Sequence, residues 1–260
     1  VACFFGICIA SPVRSMIGAD GTEKSDEWNP TAADYIQDGL VAMWDGIENA
    51  GYGIHDDNAT TWKDLVSTND LRLQSTAIAD KRFTWLEDGL RHEGANDGFR
   101  GTRRLWQFTG ENNAFTISYL VNFERIIPSL PRYMPCGDEG GGTGFYWRGE
   151  NFFSYMPWAE YGITVPISSL VGHDMSVSYG ADTSSHFVSY NGIRYGERQS
   201  GDYSALLTKS VSFFSNYGYN PSGENSWICT AKRILIYNRK LTAEEDAHNY
   251  IVDRLRFNLP

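Results

Sequence analysis

The chain is predicted to be all-β: an antiparallel two-sheet sandwich closed by one short C-terminal helix, with an N-terminal arm outside it. Three observations lead there. Aromatics make up 14% of the 260 residues and 26 are glycine, a balance that favours many short strands joined by turns. The run AFTISYLVNFE at 114–124 alternates: Phe115, Ile117, Tyr119, Val121 and Phe123 fall on one side, Thr116, Ser118 and Asn122 on the other, with Leu120 the exception. Finally, WICTAKRILIYNRKLTAEEDAHNY at 227–250 reads as a buried strand turning directly into a helix.

The end of the chain shows the physics most clearly. Ile234, Leu235, Ile236 and Tyr237 form a β-rich run that Asn238-Arg239-Lys240 breaks. Thr242 with Glu245 three residues on is a capping box: the hydroxyl takes the N3 amide and the carboxylate reaches back to the cap amide. Ala247, Tyr250, Ile251 and Leu255 then follow at helical spacing, which predicts one apolar face.

From the start, VACFFGICIA at 1–10 is the most apolar stretch, yet it is too short to span a bilayer. Val, Phe and Ile dominate it and Pro12 ends it, so it is expected to form a β-strand that needs a partner in its own sheet or in a neighbouring subunit. The alternative is the remnant of a signal-peptide core, although no basic segment precedes it. A start at Val1 suggests a fragment or processed product. Residues 18–34 are polar, acidic and broken by Gly and Pro, and are expected to be a linker or surface loop. The predicted division is therefore 1–37 for arm and linker and 38–260 for the sandwich.

Within 38–260, Leu40–Asp45 is a short strand apolar on both faces. Trp62 is a large core anchor, and Asp64 and Asp70 stand where turn residues belong. Residues 174–197 form hairpins, with Asn191-Gly192 the strong turn signal. No period of 20–50 residues repeats.

These pieces resemble the bacterial LamG-like jelly rolls of the concanavalin A-like lectin/glucanase superfamily. Tyr237, Asn238, Arg239, Leu241, Thr242 and Glu245 match that family's closing strand–turn–helix. Thr61, Trp62, Lys63, Asp64, Leu65, Asn69 and Asp70 match an earlier element, with Val66-Ser67-Thr68 in place of its Gly-Asn-Gly turn. Asn96, Asp97 and Phe99 match a third, FTIS at 115–118 a fourth, and Asn191-Gly192 a fifth. The usual Asp of the hairpin is displaced to Asp182, and where the family's closing strand carries an acidic residue this chain has Trp227-Ile228-Cys229-Thr230-Ala231-Lys232-Arg233, with none. The resemblance runs over roughly residues 38–254. It implies a jelly-roll sandwich and a carbohydrate-binding or adhesion role outside the cell, on a cell surface or on a virion.

Residues 131–170 match none of these family elements. They hold a dense set of aromatics around Gly140-Gly141-Gly142. Sugar rings pack their C–H faces on Trp and Tyr while polar side chains bond the hydroxyls, so Tyr146, Trp147, Arg148, Asn151, Tyr155, Trp158 and Tyr161 are the candidate ligand-binding residues. The plainer alternative is that alternate aromatics simply fill a sandwich core.

Function classes narrow further. The net charge of −10 excludes a basic footprint for duplex nucleic acid. No apolar run reaches 18 residues, so no membrane span is expected. The four cysteines, Cys3, Cys8, Cys136 and Cys229, have no CxxC spacing. Neither the E-x-D-x-x-E of glucanases, nor G-x-S-x-G, a P-loop or H-E-x-x-H occurs. Glu244-Glu245-Asp246 belongs to the helix cap and dipole. The expectation is no enzyme. Calcium is the candidate cofactor, through Asp56, Asp57, Asp138 and Glu139 in oxygen-rich loops, against the reading of these acids as solvated surface. The competing function is a structural decoration or assembly protein of a phage tail, fibre or surface appendage that uses residues 1–10 to contact neighbouring subunits. A glucanase-type enzyme stands third.

Overall fold

The computed structural model describes the backbone of residues 2–4, 7–9, 15–17, 23–25, 28–73, 83–92, 99–126, 133–136, 143–148, 151–156, 159–160, 165–166, 170–199, 210–213 and 227–260, and the side chains of 28–72, 83–92, 107–125, 170–195 and 228–260. In chain order the strands are β1 (Ala2–Phe4), β2 (Ile7–Ile9), β3 (Ser15–Ile17), β4 (Glu23–Ser25), β5 (Leu40–Asp45), β6 (Thr61–Trp62), β7 (Leu71–Leu73), β8 (Phe83–Leu86), β9 (Gly89–His92), β10 (Phe99–Arg104) and β11 (Phe115–Ile126). They continue as β12 (Tyr133–Cys136), β13 (Thr143–Arg148), β14 (Asn151–Met156), β15 (Ala159–Glu160), β16 (Val165–Pro166), β17 (Asp174–Ala181), β18 (Ser185–Tyr190), β19 (Ile193–Gln199), β20 (Ser210–Phe213) and β21 (Trp227–Tyr237), before the helix α1 (Ala243–Arg256). All the pairings between them are antiparallel, and the expected β-sandwich with a C-terminal helix is what forms.

The frame is an eight-stranded sheet in the order β19-β18-β17-β11-β21-β9-β8. The long β21 also pairs β5: Arg233 to Tyr237 face β5, while Cys229 to Ala231 face β9. Period-2 alternation gives this sheet two faces. On the inner face, rungs of opposed residues cross the strands. One runs Trp44, Ile234, Tyr119, Val177, Tyr190, Ile193; the next runs Ala42, Ile236, Ile117, Tyr179, Val188, Tyr195. Apart from Ile193 and Tyr195, which are exposed on the edge strand β19, these residues join one apolar core with Trp62 and Leu71 of a second, four-stranded sheet, β20-β10-β7-β6. Trp62 is fully buried and meets Trp85 edge to face at 5.4 Å. Its indole N–H donates to the Asp45 carbonyl at 2.9 Å, so the anchor buries its ring without orphaning its polar atom.

The turn left open by Val66-Ser67-Thr68 is organised by Asp64. One carboxylate oxygen accepts the Met43 and Val66 amides at 3.0 Å each; the other accepts the Ser67 hydroxyl at 2.6 Å and the Asn69 amide at 3.2 Å. A side-chain acceptor thus replaces the backbone freedom that glycines supply. At 191–192 the hairpin turn has φ +49° at Asn191 and +74° at Gly192, the left-handed pair a two-residue primed turn requires.

Two expectations about the N-terminus change. Residues 1–10 are not one long strand: β1 folds back on β2, pairing Ala2 with Ile9 and Phe4 with Ile7, and β3 pairs β4 likewise. The segment 28–37, expected to belong to the arm and its acidic linker, is packed against the sandwich. Ala32 and Tyr35 are buried and Trp28 and Ile36 lean on the same cluster, because the capping box of Thr31 and Asp34 tightens a 3-10 turn that turns these side chains inward.

The helix differs from its sequence reading. Thr242 and Glu245 do form the capping box. However, the buried face is Asp246, Asn249, Val252 and Asp253, and Leu255 of the predicted apolar stripe is 48% exposed. The reason lies opposite: the outer face of the sheet under α1 is mixed, setting Ser118, Ser176, Ser178 and Arg233 beside Met43 and Leu235, with which Val252 clusters.

Candidate functional site

The aromatic region at 131–170 forms its own antiparallel ladder, β12-β13-β14-β15 with β16 on the other side of β14. Directly opposed residues of such a ladder share a face, and neighbours along a strand alternate. Tyr133, Tyr146 and Phe153 occupy one rung. The next rung on that face holds Pro135, Gly144, Tyr155 and Glu160. The rung on the other side of it holds Arg148, Asn151 and Pro166. The opposite face takes Met134, Phe145 and Ser154 in one rung and Trp147, Phe152 and Val165 in another. Of the candidate ligand residues, Tyr146, Arg148, Asn151 and Tyr155 therefore share a face and Trp147 falls on the other. Trp158 and Tyr161 lie outside the described residues.

Of the candidate calcium ligands, Asp56 and Asp57 sit on the rim turn that closes residues 46–58. Asn49 and Asp56 exchange two hydrogen bonds across it, at 2.9 and 2.8 Å. Asp56 accepts the Asn58 amide at 2.8 Å, and Asp57 meets His55 Nε2 at 3.1 Å. Two carboxylates engaged in this way fall short of the roughly six to eight oxygens calcium takes. No group of three or more His, Cys, Asp or Glu that could hold a metal occurs among the described residues. Asp138 and Glu139 lie outside them.

Among the described residues the densest charged constellation lies between the sheet and α1, and the sequence reading missed it. Arg233 is completely buried, as is Asp253. Arg233 donates from Nε to Asp253 Oδ1 at 3.0 Å and from Nη2 to Asp253 Oδ2, a bidentate pair. Its Nη1 donates to Ser118 Oγ at 2.7 Å, and Ser176 Oγ donates to Asp253 Oδ2 at 2.9 Å. The Tyr35 hydroxyl donates to Asp253 Oδ1 at 2.9 Å while the Tyr35 ring lies 5.4 Å from the guanidinium carbon. Burial works against the Arg233 charge, but Asp253 outweighs it and raises the guanidinium further. Burial, reinforced by Asp253, likewise lifts the Tyr35 phenol well above its ordinary value.

A second pair sits beside the first: Arg256 Nε donates to Asp45 Oδ2 at 3.1 Å, and burial raises the Asp45 carboxyl despite Arg256. Lys232 bridges Asp88 at 2.8 Å and Asp174 at 3.0 Å. Lys232 and Arg233, on a strand without an acid of its own, thus take their acids from other elements. A tyrosine, an arginine and a carboxylate in contact could do acid–base chemistry only where substrate reaches them. Here Tyr35, Arg233 and Asp253 are sealed under the helix, and the arrangement holds α1 to the sheet. One signal could have found it: an arginine inside an otherwise apolar strand demands a buried partner.

The acids at 244–246 are structural. Glu245 accepts both Arg239 Nη atoms at 2.7 Å, which holds its carboxyl below the ordinary value, and bonds the Thr242 amide. Asp246 is buried near Ser189, Ser178 and Arg194, and burial raises it. Cys229 is a free buried thiol, pushed well up by burial. No helix among the described residues is long and apolar enough to cross a membrane.

Comparison with known proteins places the fold. No protein-family model matches the chain, and no curated protein matches it. Solved structures do. A mutant of Trypanosoma rangeli sialidase displaying trans-sialidase activity aligns with a TM-score of 0.60 at 16% identity, over 84% of this chain and 33% of that one. Trypanosoma rangeli sialidase in complex with sialic acid aligns at 0.56 and 18%, over 92% and 35%. The receptor binding domain of the botulinum neurotoxin C/D mosaic serotype aligns at 0.59 and 10%, over 83% and 52%. This chain thus spans about a third of the sialidases and about half of the toxin chain. At these identities the likeness is of fold.

Proposed function

We propose that this chain is a non-catalytic carbohydrate-binding module of the LamG-like jelly-roll kind, displayed outside the cell on a cell surface or virion. The observation that supports it most is the face of the β12–β16 ladder that sets Tyr133, Tyr146, Phe153 and Tyr155 beside Arg148, Asn151 and Glu160. Aromatic faces with hydrogen-bonding neighbours suit sugar rings. The sandwich neighbours include a sialidase solved with sialic acid and a toxin's receptor binding domain. Among the described residues the buried Tyr35–Arg233–Asp253 group is spent on packing, which favours binding over turnover.

A glycan array probed with the purified chain, with and without calcium, tests the reading. Binding to a defined glycan class, with no sialoside hydrolysed in a parallel assay, supports it. Sialoside turnover overturns the non-catalytic part, and loss of binding on chelation assigns calcium a role. A second reading, assembly with neighbouring subunits, is favoured by the β1–β2 hairpin built from the chain's most apolar stretch. An oligomer in solution that reverts to monomer when residues 1–27 are deleted, together with an empty array, would select it.

A further inference from the structure

We propose that the rim loop at residues 46–58 is a sugar-contact site, and that it takes an uncharged sugar ring against Tyr52 and turns away carboxylated ones. This rests on the carbohydrate reading above and deepens it with a contact residue and a sugar class. Three of the seven large apolar side chains exposed among the described residues, Tyr52, Ile54 and Val66, lie on this loop and on the turn at 64–69 beside it. A lone exposed apolar residue is ordinary, but a group of them on adjoining rim loops is a contact surface. Tyr52 is 56% exposed and Ile54 55%. One phenol with two aliphatic groups matches a sugar ring in size and falls short of the roughly 800 Å² a side that a stable protein interface buries.

The loop is built to hold that tip. Asn49 is fully buried; its side chain exchanges two hydrogen bonds with the Asp56 backbone, and its carbonyl accepts the Lys63 amide at 2.9 Å. The Ala50 amide donates to the Ile54 carbonyl at 3.2 Å and the Ile54 amide to the Gly51 carbonyl at 2.9 Å. Gly53, at φ +69°, supplies the left-handed position of the tight turn, and a Cβ placed there would meet nothing within 4 Å, so the backbone beside Tyr52 faces open space. A ring presented on a cross-linked loop loses little freedom when a ligand stacks on it. The sugar class follows from charge. Residues 46–58 hold Glu48, Asp56 and Asp57 and no lysine or arginine, and the Asp57 side chain is 77% exposed. Burial, with the nearby carboxylates of Glu48, Asp64 and Asp45, raises the Tyr52 phenol. The cations at the loop's base are engaged: Lys63 with Asp70, and Arg256 with Asp45 and Glu48. A carboxylated sugar on Tyr52 therefore meets like charge, whereas the hydroxyls of an uncharged one can donate to Asp57.

The test titrates the full chain with lactose, maltotriose and tri-N-acetylchitotriose as uncharged sugars and with sialyllactose and trigalacturonate as acidic ones. At least one uncharged sugar is expected to bind on the order of tenfold tighter than both acidic ones. Tyr52→Ala is expected to weaken it on the order of tenfold with the melting temperature unchanged. Tyr52→Phe is expected to retain it, because the ring face carries the contact, and Asp57→Asn to narrow the gap between uncharged and acidic sugars. Tyr195→Ala, which removes a phenol 42% exposed on β19, is expected to change nothing. Chemical-shift mapping on the unaltered chain, which needs no variant, is expected to place the largest shifts within residues 49–58. An acidic preference, an unchanged gap in Asp57→Asn, or no binding to any of the five overturns the sugar class. Binding that survives Tyr52→Ala, loss in Tyr195→Ala, or shifts confined to other segments overturns the site. A positive glycan array whose signal Tyr52→Ala leaves intact sinks this inference and leaves the carbohydrate reading standing, whereas an empty array sinks both.

Discussion

The two faces of the eight-stranded sheet solve burial in opposite ways with the same strands. On β11, Phe115, Ile117, Tyr119, Val121 and Phe123 go into a dry core against Trp62 and Leu71, while Thr116 and Ser118 one residue away line a polar seam under α1. The dry side is non-directional: its stability scales with apolar area and close packing. The polar side is directional, since Arg233 must meet Asp253, Ser118 and Ser176 at once. Leu120, the residue that broke the alternation, lies on this outer face in the same rung as Arg233 and Ser176 and clusters with Phe257 and Leu259 at the chain terminus. A helix that looks amphipathic one way by hydrophobicity docks another way when the surface it meets mixes buried polar groups with apolar ones.

Breaking the seam is expected to have the largest effect. Asp253→Ala strands a buried guanidinium and should cost about 3–5 kcal/mol in urea unfolding, whereas the pair Arg233→Met with Asp253→Leu should recover most of that. Failure of the double variant to recover would mean that the seam is needed for folding and not merely tolerated. On the dry side, Trp62→Ala should also cost about 3–5 kcal/mol, with no rescue from any polar partner. The seam's entrance is weaker: Thr242→Ala removes one arm of the capping box and should cost about 1 kcal/mol.

The pH dependence sharpens the same boundary. Arg239 holds Glu245 below its ordinary value of 4.5 in the folded chain. The stability Glu245 contributes is therefore fully present above that value and is lost as the pH falls through the lowered one. Unfolding measured between roughly pH 7 and pH 3 should show a gap between the wild type and Glu245→Gln that narrows at the acid end. The smallest effect belongs where the dry rungs reach the sheet edge. Tyr195 is 42% exposed on β19, so Tyr195→Ser should change stability by no more than about 0.5 kcal/mol.

Much of the frame was legible. The alternation of 114–124, the Asn191-Gly192 turn, the Trp62 anchor and the strand-to-helix junction at 237–242 are local patterns, and local sterics decide them. The inward packing of 28–37 was not legible, because a polar, Pro-broken segment gives no sign of the surface that Tyr35 will reach. The helix face was misread for the same reason: hydrophobic periodicity assumes an apolar partner. Of the candidate ligand set, residue type marked the region, but which members share a face depended on the register of β13 and β14, and that is set by the length of their turn.

By itself, then, the sequence determined where strands alternate, where the chain turns left-handed at Asn191 and where α1 begins, because each is settled by neighbours within a few residues. Tertiary structure alone decided the partners of Arg233. Ser118 lies 115 residues before it and Asp253 twenty after, and Tyr35 reaches that same carboxylate across 218 residues. A buried charge is stable only where several distant groups converge on it, and no local pattern encodes convergence.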